Sequence, residues 1–447
     1  MRIKRLLIAV LILQLVLGLY TFSHYPIEDV AIHGEIVNIL RDKGVSLDYQ
    51  PYSNTTLTYP VLFHYLSLPF SYFMNAVYAV RIIGLIAFVL FPYFMYLLGK
   101  TFDKKIGILS LILSMALSNF AILIVYSGMP QILAMDFFVL FMYFYFSKRY
   151  KLSGLFLGLI TLTHPFMGII SWASAILLLA IYRDKKTLKT ILIGAGVSLL
   201  WVYQYYLLFN NITSGIWNNV KHYNLNPGFI GFRTFIDYMI RLNGVLFLIS
   251  LLAINFKNKK RTFFSIFFLM NLFFVVYHYP PAQLKFLDLF TIPIVLFGAI
   301  GLNKIIKKFG SKTLFIAIFL FLIVSCSMSL MMIYDVNQNY QAINDETIKA
   351  AKFLNRYDSD LSKIVYFGEP KTEIMFGIFA NKIPMDAKIS DLEAYSSNYK
   401  KRLVDREEII NGHKTLHKRY GIKYVVSQDC TFDVVYDKKN VKICQLY

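Results

Sequence analysis

Long apolar segments constrain this chain more than any other feature of its sequence. The hydrocarbon core of a bilayer is about 30 Å thick, so a helix that crosses it needs about 20 mostly apolar residues. Eleven segments approach that length, the fifth and eighth being short: about 5–22, 76–99, 106–126, 130–147, 152–163, 165–182, 188–209, 242–256, 262–278, 286–303 and 313–334. The sequence therefore predicts an α-helical polytopic membrane protein with about eleven transmembrane helices.

The composition excludes most other classes of protein. Hydrophobic residues make up 57% of the 447 residues and charged residues only 16%, whereas soluble domains carry about 25% charged residues. The three cysteines do not form a disulfide framework. Cys326 lies in the last apolar segment, and Cys430 and Cys444 pair only if their strands are neighbours.

The net charge of +20 is distributed as expected for a membrane protein rather than a nucleic-acid-binding protein. Residues 335–447 contain 18 Lys and Arg and 16 Asp and Glu, so 28 bases and 10 acids remain in 1–334. Of those 28 bases, 21 lie at alternate ends of the apolar segments, together with only two acids. The positive-inside rule then predicts a cytoplasmic N-terminus and an extracytoplasmic C-terminal part. An even number of spans requires a re-entrant segment or cleavage of the first one.

Two domains follow from this arrangement: a membrane domain of 1–334 with a first outer loop of 23–75, and an extracytoplasmic α/β domain of 335–447. In the loop, the sequence predicts helices over 28–43 and 60–74, the second lying along the membrane interface. In the C-terminal domain it predicts helices over 345–357 and 403–420, and strands over 363–368, 423–427 and 441–446.

The helix predicted over 28–43 carries the first candidate site. Asp29 and His33 lie one turn apart on its apolar face, where polar groups are costly without partners. Asp29 is also in the first turn, where the helix dipole stabilises a negative charge. Such a carboxylate suits a general base toward a hydroxyl, with His33 orienting it or joining the proton transfer. The alternative is a structural hydrogen-bonded pair at the membrane surface.

Ionisable residues inside predicted spans give a second set of candidates, because each must be paired or functional. Arg81 lies about one turn inside the outer end of its span, and Asp136 about two turns inside its own. A structural salt bridge between them at similar depth and a functional role are equally consistent with the pattern, and either one marks the outer half of the bundle as a polar cavity.

Further polar groups lie at the predicted outer edge. His164 precedes a proline that breaks a helical stretch, and Lys285 precedes the tenth span. A lysine at a helix start suits a phosphate contact, although lysines near span ends also extend their side chains to water. The histidines leave a divalent metal site open, with no diagnostic spacing and no certain cofactor.

Two segments of the first loop resemble motifs of a known superfamily. Glu28–His33 (EDVAIH) and Thr58–Tyr65 (TYPVLFHY) are similar to the D-x3-H and YP-x-x-F-x-Y patterns of an uncharacterised prokaryotic branch of the GT-C glycosyltransferases. Arg81, the SGMPQ turn at 127–131 and Asp136 also look like that branch. GT-C enzymes are membrane proteins that take sugars from polyprenyl-phosphate or dolichyl-phosphate carriers.

The resemblance implies roles for these residues. Asp29 would be the catalytic base with His33 beside it, and Lys285 and His164 would hold the carrier phosphate. Four further residues would bind substrate: Arg81, Asp136, Tyr59 and His64. The chain departs from oligosaccharyltransferases, whose WWDYG string is absent, and from protein mannosyltransferases, whose Asp-Glu order is reversed.

The sequence therefore predicts a cell-membrane glycosyltransferase that moves a sugar from a polyprenyl-phosphate carrier to an acceptor hydroxyl on the outer face. Its expected partners are the bilayer and the lipid-linked sugar, with no nucleic acid. A transporter or flippase of lipid-linked sugars and a non-catalytic membrane assembly factor are the alternatives.

Overall fold

The computed structural model describes residues 2–22, 28–43, 60–115, 129–201, 228–229, 244–278 and 280–310 of the N-terminal part. In the C-terminal part it describes 346–360, 362–366, 382–384, 404–409, 415–427, 432–438 and 441–446, with a few single residues. Twelve helices are described in the N-terminal part: α1 Arg2–Phe22, α2 Glu28–Lys43, α3 Leu62–Ser71, α4 Ala76–Lys100, α5 Lys104–Met115, α6 Met129–Phe146, α7 Tyr150–Thr163, α8 Pro165–Tyr182, α9 Lys185–Ser198, α10 Gly244–Leu251, α11 Lys259–Val276 and α12 Pro280–Phe309.

Four of the described helices are long and apolar enough to cross a membrane: Ala76–Lys100, Met129–Phe146, Pro165–Tyr182 and Phe286–Lys308. Each predicted apolar segment from the first to the tenth overlaps a described helix, although 116–126 of the third and 202–209 of the seventh lie outside the described residues. The eleventh, 313–334, lies outside the described residues except for two single positions, so the count of spans stays a prediction. The two helices predicted in the first loop are confirmed as α2 and α3.

Helix α4 is the centre of the bundle, since it contacts α1, α2, α3, α5 and α6. Its first turn is fixed by Asn75, whose side chain accepts a hydrogen bond from the Val77 amide at 2.9 Å. Gly34 of α2 lies so close to α4 that a Cβ there would stand 2.7 Å from the Val77 side chain and 3.0 Å from its Cα. Helix α2 therefore lies directly on the start of α4.

Helices α7 and α9 pack through small residues, as membrane helices often do. A Cβ on Gly154 would stand 2.6 Å from the carbonyl oxygen of Thr190, and one on Gly158 would stand 2.4 Å from the Cβ of Val197. Gly196, on the same helix as Val197, has nothing within 4 Å of its Cβ position. Gly194 of α9 is part of the contact, since a Cβ there would stand 2.8 Å from the side chain of Leu157 on α7, whereas Gly196 is not.

Three lysines bind the C-terminal carbonyl groups of three helices, which have no partner inside their own helix. Lys260 donates to the carbonyl of Thr101, the C-cap of α4, at 2.7 Å, and Lys259 to Tyr182, the last residue of α8, at 3.3 Å. Lys304 donates to Leu252, just after α10, at 2.6 Å. The end of the bundle where α4, α8 and α10 terminate is called the lysine end below.

Lys260 is held at the lysine end by aromatic rings as well. Its Nζ lies 3.8 Å from the ring centre of Phe102 and 4.9 Å from that of Phe146. Because the site is largely desolvated, the pKa of Lys260 falls to about 7. In the sequence, Lys260 is recognisable only as part of the positive-inside pattern, and the structure adds a capping role.

The C-terminal part contains a five-stranded mixed sheet. Its strands are β3 Ser362–Tyr366, β4 Lys382–Pro384, β5 Ile422–Ser427, β6 Asp433–Lys438 and β7 Val441–Gln445, and a two-residue pair, β1 Gly228–Phe229 and β2 Tyr277–His278, precedes them in the chain. The order is β4-β3-β5-β7-β6. Strands β4 and β5 are parallel to β3, and β7 is antiparallel to its neighbours β5 and β6.

Helices cover both faces of this sheet. Helix α13 (346–357) packs Ala350, Ala351 and Leu354 against one face, and its Ile348 belongs to the core of the helical bundle. The short helices α14 (404–409) and α15 Leu416–Tyr420 contribute Ile409 and other residues to the core on the opposite face.

Sequence and structure agree on most of the described C-terminal elements. The helix predicted over 345–357 and the strands over 363–368, 423–427 and 441–446 are confirmed in their described residues, which leave out 345, 367 and 368. The single helix over 403–420 is wrong, because a turn at Asn411 separates α14 from α15. Cys444 is disulfide-bonded, and Cys430 lies outside the described residues.

A buried ion cluster joins α13 to the sheet. Asp358, just after α13, accepts from Lys382 of β4 at 3.2 Å and from Lys423 of β5 at 3.0 Å. Lys382 also donates to the carbonyls of Asp358 at 2.8 Å and Asp360 at 2.5 Å. Burial alone would raise the pKa of Asp358, but hydrogen bonds from Lys423 and Tyr424 and the charge of Lys382 hold it well below its usual range. Asp358 and Asp360, which form a D-x-D string with Ser359, therefore have a structural role through Lys382.

Candidate functional site

The candidate site begins on α2, α3 and α4, which all contact one another. His33 on α2 and His64 on α3 are within hydrogen-bond distance of each other: Nδ1 of His33 lies 3.0 Å from Nε2 of His64. The ring of Phe63 meets both imidazoles edge-on, at centroid distances of 5.8 and 5.6 Å. These two histidines, which the sequence placed in separate motifs, form one unit.

The two rings differ in their access to the surface. His64 has no exposed surface, whereas His33 keeps 7% of its own. Burial, reinforced by the neighbouring His33, lowers the pKa of His64 well below its ordinary value. The substrate-binding role of His64 that the resemblance implied stays a prediction.

The structure describes Asp29 only in part and does not describe Tyr59. Asp29 lies in the first turn of α2, one turn before His33, but its side chain is outside the described part of the chain. Tyr59 lies outside the described residues altogether. The position of Asp29, the candidate general base, is therefore known only for its backbone in α2. The distance from its side chain to His33 stays a prediction.

Arg81 lies on α4, one turn after the contact between Gly34 and Val77. It is buried, with 3% exposure, and its guanidinium lies 5.9 Å from the ring centre of Tyr78. One turn further along α4, Gly84 packs against Met129 at the start of α6, where a Cβ would stand 2.8 Å from the Met129 side chain. Arg81 therefore lies between the α2 contact and the start of α6.

Contacts continue from α6 to α12 and α8. Gln131, in the first turn of α6, donates to Oδ2 of Asp288 at 2.9 Å, and Asp288 lies one turn after Lys285 in α12. Phe286 meets Phe166 of α8 edge-on at a centroid distance of 5.1 Å. The starts of α4, α6, α8 and α12 thus lie at one end of the bundle, called the histidine end below. The side chain of Lys285 is outside the described part.

His164 has a structural role at the histidine end. Its Nδ1 accepts a hydrogen bond from the Met167 amide at 3.3 Å, so it is the N-cap of α8. The backbone of His164 is extended, and Pro165 follows at the first helical position, where proline is favoured. This confirms the predicted break between α7 and α8. A phosphate contact by His164 stays a prediction and would have to use its other ring nitrogen.

The pairing of Arg81 with Asp136, left open by the sequence, does not occur among the described contacts. Asp136 is 1% exposed, and its Oδ1 has no hydrogen-bond partner within the described part of the chain. The reason is depth: Asp136 lies seven residues after Met129, and Arg81 lies three before Gly84, against which Met129 packs. At 1.5 Å per residue the two are about 15 Å apart along the bundle.

Other polar groups are arranged in ways that sequence reasoning missed. The hydrogen bond between Gln131 and Asp288 joins helices 157 residues apart. Asn271 and Thr291 are buried polar residues of α11 and α12, with 2% and 0% exposure. The only feature of the sequence that marks Asn271 and Thr291 is the presence of a polar residue inside an apolar segment. Among the described residues, no group of three or more His, Cys, Asp or Glu is placed to hold a metal ion.

Comparisons with known proteins support the fold. No protein-family model and no curated protein sequence matches the chain. The solved structure of ArnT from Cupriavidus metallidurans bound to undecaprenyl phosphate matches with a TM-score of 0.64 and 10% identity, over 98% of this chain and 97% of that one. The same enzyme in the apo state matches with a TM-score of 0.66 and 10% identity, over 99% and 98%.

A structural likeness at 10% sequence identity shows the fold but not the chemistry. The likeness shows that this chain shares the fold of ArnT. The comparison does not address the D-x3-H branch or the individual site residues, and both stay predictions.

Proposed function

We propose that the chain is a membrane glycosyltransferase that moves a sugar from a polyprenyl-phosphate carrier to an acceptor hydroxyl. The observation that carries this proposal is the gathering of candidate acid–base and cationic groups at one end of an ArnT-like bundle. Asp29, His33, Arg81 and Lys285 all belong to the histidine end by the position of their backbones. That ArnT is bound to undecaprenyl phosphate in one of its structures supports the choice of carrier.

The proposed reaction is a displacement at the anomeric carbon. Asp29 takes the proton of the acceptor hydroxyl, whose oxygen forms the new bond to that carbon. The bond from the anomeric carbon to the phosphate oxygen breaks, its electron pair stays on the phosphate, and the carrier phosphate gains one negative charge. Lys285 and Arg81 offset that charge at the low-dielectric edge of the membrane, where a fixed cation acts most strongly.

The orientation is part of the proposal. The histidine end faces the extracytoplasmic side and the lysine end the cytoplasm, in line with the positive-inside distribution of charge. The C-terminal sheet then lies on the same side as the site. The orientation can be tested with two single-cysteine variants, one with its cysteine beside Lys257 and the other beside Tyr72. A membrane-impermeant thiol reagent added outside intact cells should modify only the cysteine beside Tyr72.

Replacement of Asp29 by asparagine tests the reaction, with Glu28→Gln as the matched control on the same helical turn. Purified protein in proteoliposomes is given a panel of polyprenyl-phosphate [14C]hexoses and an extract of the native cell envelope as acceptor. We expect transfer by Asp29→Asn to fall about 10²- to 10⁴-fold, the range of general base catalysis, and Glu28→Gln to retain it. Equal transfer by both variants would remove Asp29 from the mechanism.

The same assay separates the alternatives. A flippase would carry the labelled lipid across the bilayer of the proteoliposome without forming a labelled acceptor. An assembly factor would do neither. Lys285→Met tests the phosphate contact, with the exposed Lys307→Met on the same helix as its control. Loss of a charge-assisted hydrogen bond costs about 1.5–3 kcal/mol, so kcat/KM for the donor should fall about 10- to 100-fold in Lys285→Met alone.

A further inference from the structure

We propose that the Asp288 carboxylate binds hydroxyl groups of the donor sugar and that Gln131 holds this carboxylate in place. The inference rests on the proposed function and names the substrate class of the same site: a sugar with free hydroxyl groups and no acidic group. The geometry that carries it is the hydrogen bond from Nε2 of Gln131 to Oδ2 of Asp288, at 2.9 Å, between α6 and α12.

An acidic side chain is costly at this position. Asp288 lies in the apolar part of α12, Phe286–Lys308, which is long enough to cross a membrane. Acidic residues in such segments face the interior of the bundle or a water-filled cavity, and they mark functional sites. A link between α6 and α12 alone needs no charge, because two neutral amides form the same hydrogen bond. The carboxylate therefore indicates a role besides packing.

Asp288 lies where the open surface of α12 ends. Its side chain is half-buried, whereas every position from 289 to 302 is buried. Leu287 and Leu289, on either side of it, have 2% and 0% exposure. Because a carboxylate facing lipid is costly, this surface faces an opening at the histidine end rather than the bilayer. A ligand that enters there meets Asp288 before the closed interior.

Gln131 fixes the direction of the carboxylate. Its side chain has no exposed surface, so the packing of α6 holds it in place and it is a positioning residue rather than a ligand contact. A carboxylate has about four sites at which it accepts hydrogen bonds, and Gln131 uses one of them. Sugar hydroxyl groups donate to carboxylates in charge-assisted hydrogen bonds, which are stronger than neutral ones.

The candidate phosphate contact lies one turn before this carboxylate. Lys285 and Asp288 are three residues apart in α12, a spacing at which side chains on a helix are neighbours. In an aldose, the nearest hydroxyl is on the carbon next to the one that bears the phosphate. A carrier phosphate at Lys285 therefore brings the sugar hydroxyls to the turn of Asp288. The cation would bind the phosphate of the donor and the anion its sugar.

The bundle stays polar on the inner side of Asp288. Thr291, one turn further along α12, is fully buried, and its Oγ1 has no hydrogen-bond partner within the described part of the chain. The same is true of Oε1 of Gln131. Buried polar atoms without partners are costly, and apolar side chains would avoid that cost if this region served packing alone. The two atoms are a second indication that a polar ligand, or water that accompanies it, binds at this level.

A fixed carboxylate also selects against acidic sugars. Hydroxyl groups donate to it, whereas a uronic acid brings a second negative charge, and like charges side by side are strongly unfavourable. Sites built to bind a hydroxyl group reject analogues that cannot donate. We therefore expect neutral hexoses to bind and uronic acids to be rejected.

Binding of two kinds of lipid to the intact protein in nanodiscs separates the sugar contact from the phosphate contact. The probes are undecaprenyl phosphate and its glucosyl, mannosyl and galactosyl derivatives. Asp288→Asn keeps an oxygen that accepts from Gln131 and removes the charge. The control is Asp103→Asn, which removes one acid at an exposed position of the lysine end.

We expect the Kd of the best-bound hexosyl lipid to rise about 10- to 100-fold in Asp288→Asn, the effect of one hydrogen bond to a charged group, and the Kd of undecaprenyl phosphate to change less than about twofold. Asp103→Asn should change neither. Gln131→Leu should weaken the hexosyl lipid and leave undecaprenyl phosphate unaffected, which a purely structural role would not do. Wild-type protein should bind the glucuronosyl lipid more weakly than the hexosyl lipid, and Asp288→Asn should reduce that difference.

Equal weakening of both kinds of lipid in Asp288→Asn would show a structural role and overturn the inference. Unchanged binding of the hexosyl lipid would do the same, as would the absence of hexosyl binding to wild-type protein or equal binding of the glucuronosyl lipid. If Asp288→Asn does not fold, competition between hexosyl and glucuronosyl lipids for wild-type protein still decides.

Failure of the proposed function gives a different result. If wild-type protein discriminates between the lipids as expected but transfers no sugar in the proteoliposome assay, Asp288 remains a sugar contact and the transferase proposal falls. Transfer of sugar that Asp288→Asn does not impair, with unchanged KM for the donor, would leave the transferase proposal standing and remove Asp288 from it.

Discussion

Replacing Lys382 by methionine should weaken the attachment of the C-terminal sheet to α13. The Lys382 side chain has no exposed surface, and its ammonium is bonded to two backbone carbonyls and the Asp358 carboxylate. Removal of one partner of a buried ion pair costs about 3–5 kcal/mol. Because Lys423 still holds the carboxylate at 3.0 Å, we expect a loss near the lower limit, about 3 kcal/mol.

Hydrogen exchange measured by mass spectrometry on the intact protein gives this loss locally. At about 1.4 kcal/mol per tenfold change, amides of β3, β4 and β5 should exchange about 100-fold faster in Lys382→Met. The control is Lys442→Met, which breaks a pair with Asp437 at 3.6 Å whose partners are 32% and 57% exposed. Such a pair contributes about 0–1 kcal/mol. Equal effects of the two substitutions would show that the buried pair contributes no more than the exposed one.

Three further predictions concern the described packing and charges. Gly158→Leu should separate α7 from α9 and destabilise the protein by about 1–3 kcal/mol, measured as thermal unfolding in detergent, whereas Gly196→Leu should be nearly neutral. Lys260→Met should leave the C-terminal carbonyl of α4 without its donor and lower the free energy of unfolding by about 1–3 kcal/mol in the same assay. The control is Lys257→Met, at an exposed position. Because its pKa is depressed in the folded protein, Asp358 should stabilise the sheet fully above about pH 5 and lose that contribution as the pH falls below about 4. Exchange protection in β3 and β5 should follow this course, and Asp358→Asn should abolish the dependence.

The helices of the bundle were predictable because their signals are local. A run of apolar residues defines a span wherever it packs, and a His-Pro pair ends one helix and begins another at His164 and Pro165. The helix Glu28–Lys43 was predicted with both of its ends.

Contacts between distant segments were not predictable from those signals. The sequence put His33 and His64 in polar positions near the membrane, but nothing in either motif shows that the two rings touch. Lys260 and Thr101 are 159 residues apart, so a charge that sets orientation could not be recognised as a helix cap. The sequence suggested similar depths for Arg81 and Asp136, but the offset between α4 and α6 separates them by about 15 Å along the bundle.

The C-terminal errors have local causes. The helix predicted over 403–420 ignored the turn at Asn411, which is followed by a glycine. Strand β4 has only three residues, and β6 has no buried position to create an alternating pattern. Both are edge strands of the sheet, where apolar alternation is weakest.

Photocrosslinking shows whether the histidine end binds a polyprenyl phosphate. The probe is an undecaprenyl phosphate with a diazirine beside the phosphate, irradiated with the intact protein in nanodiscs, and the labelled peptides are mapped by mass spectrometry. We expect labelled peptides at the starts of α4, α6, α8 and α12, with labelling suppressed by excess unmodified undecaprenyl phosphate. Labelling that is suppressed in the same way but confined to the lysine end, around Lys100 and 257–261, would place the lipid phosphate at the opposite end of the bundle and overturn the proposed site.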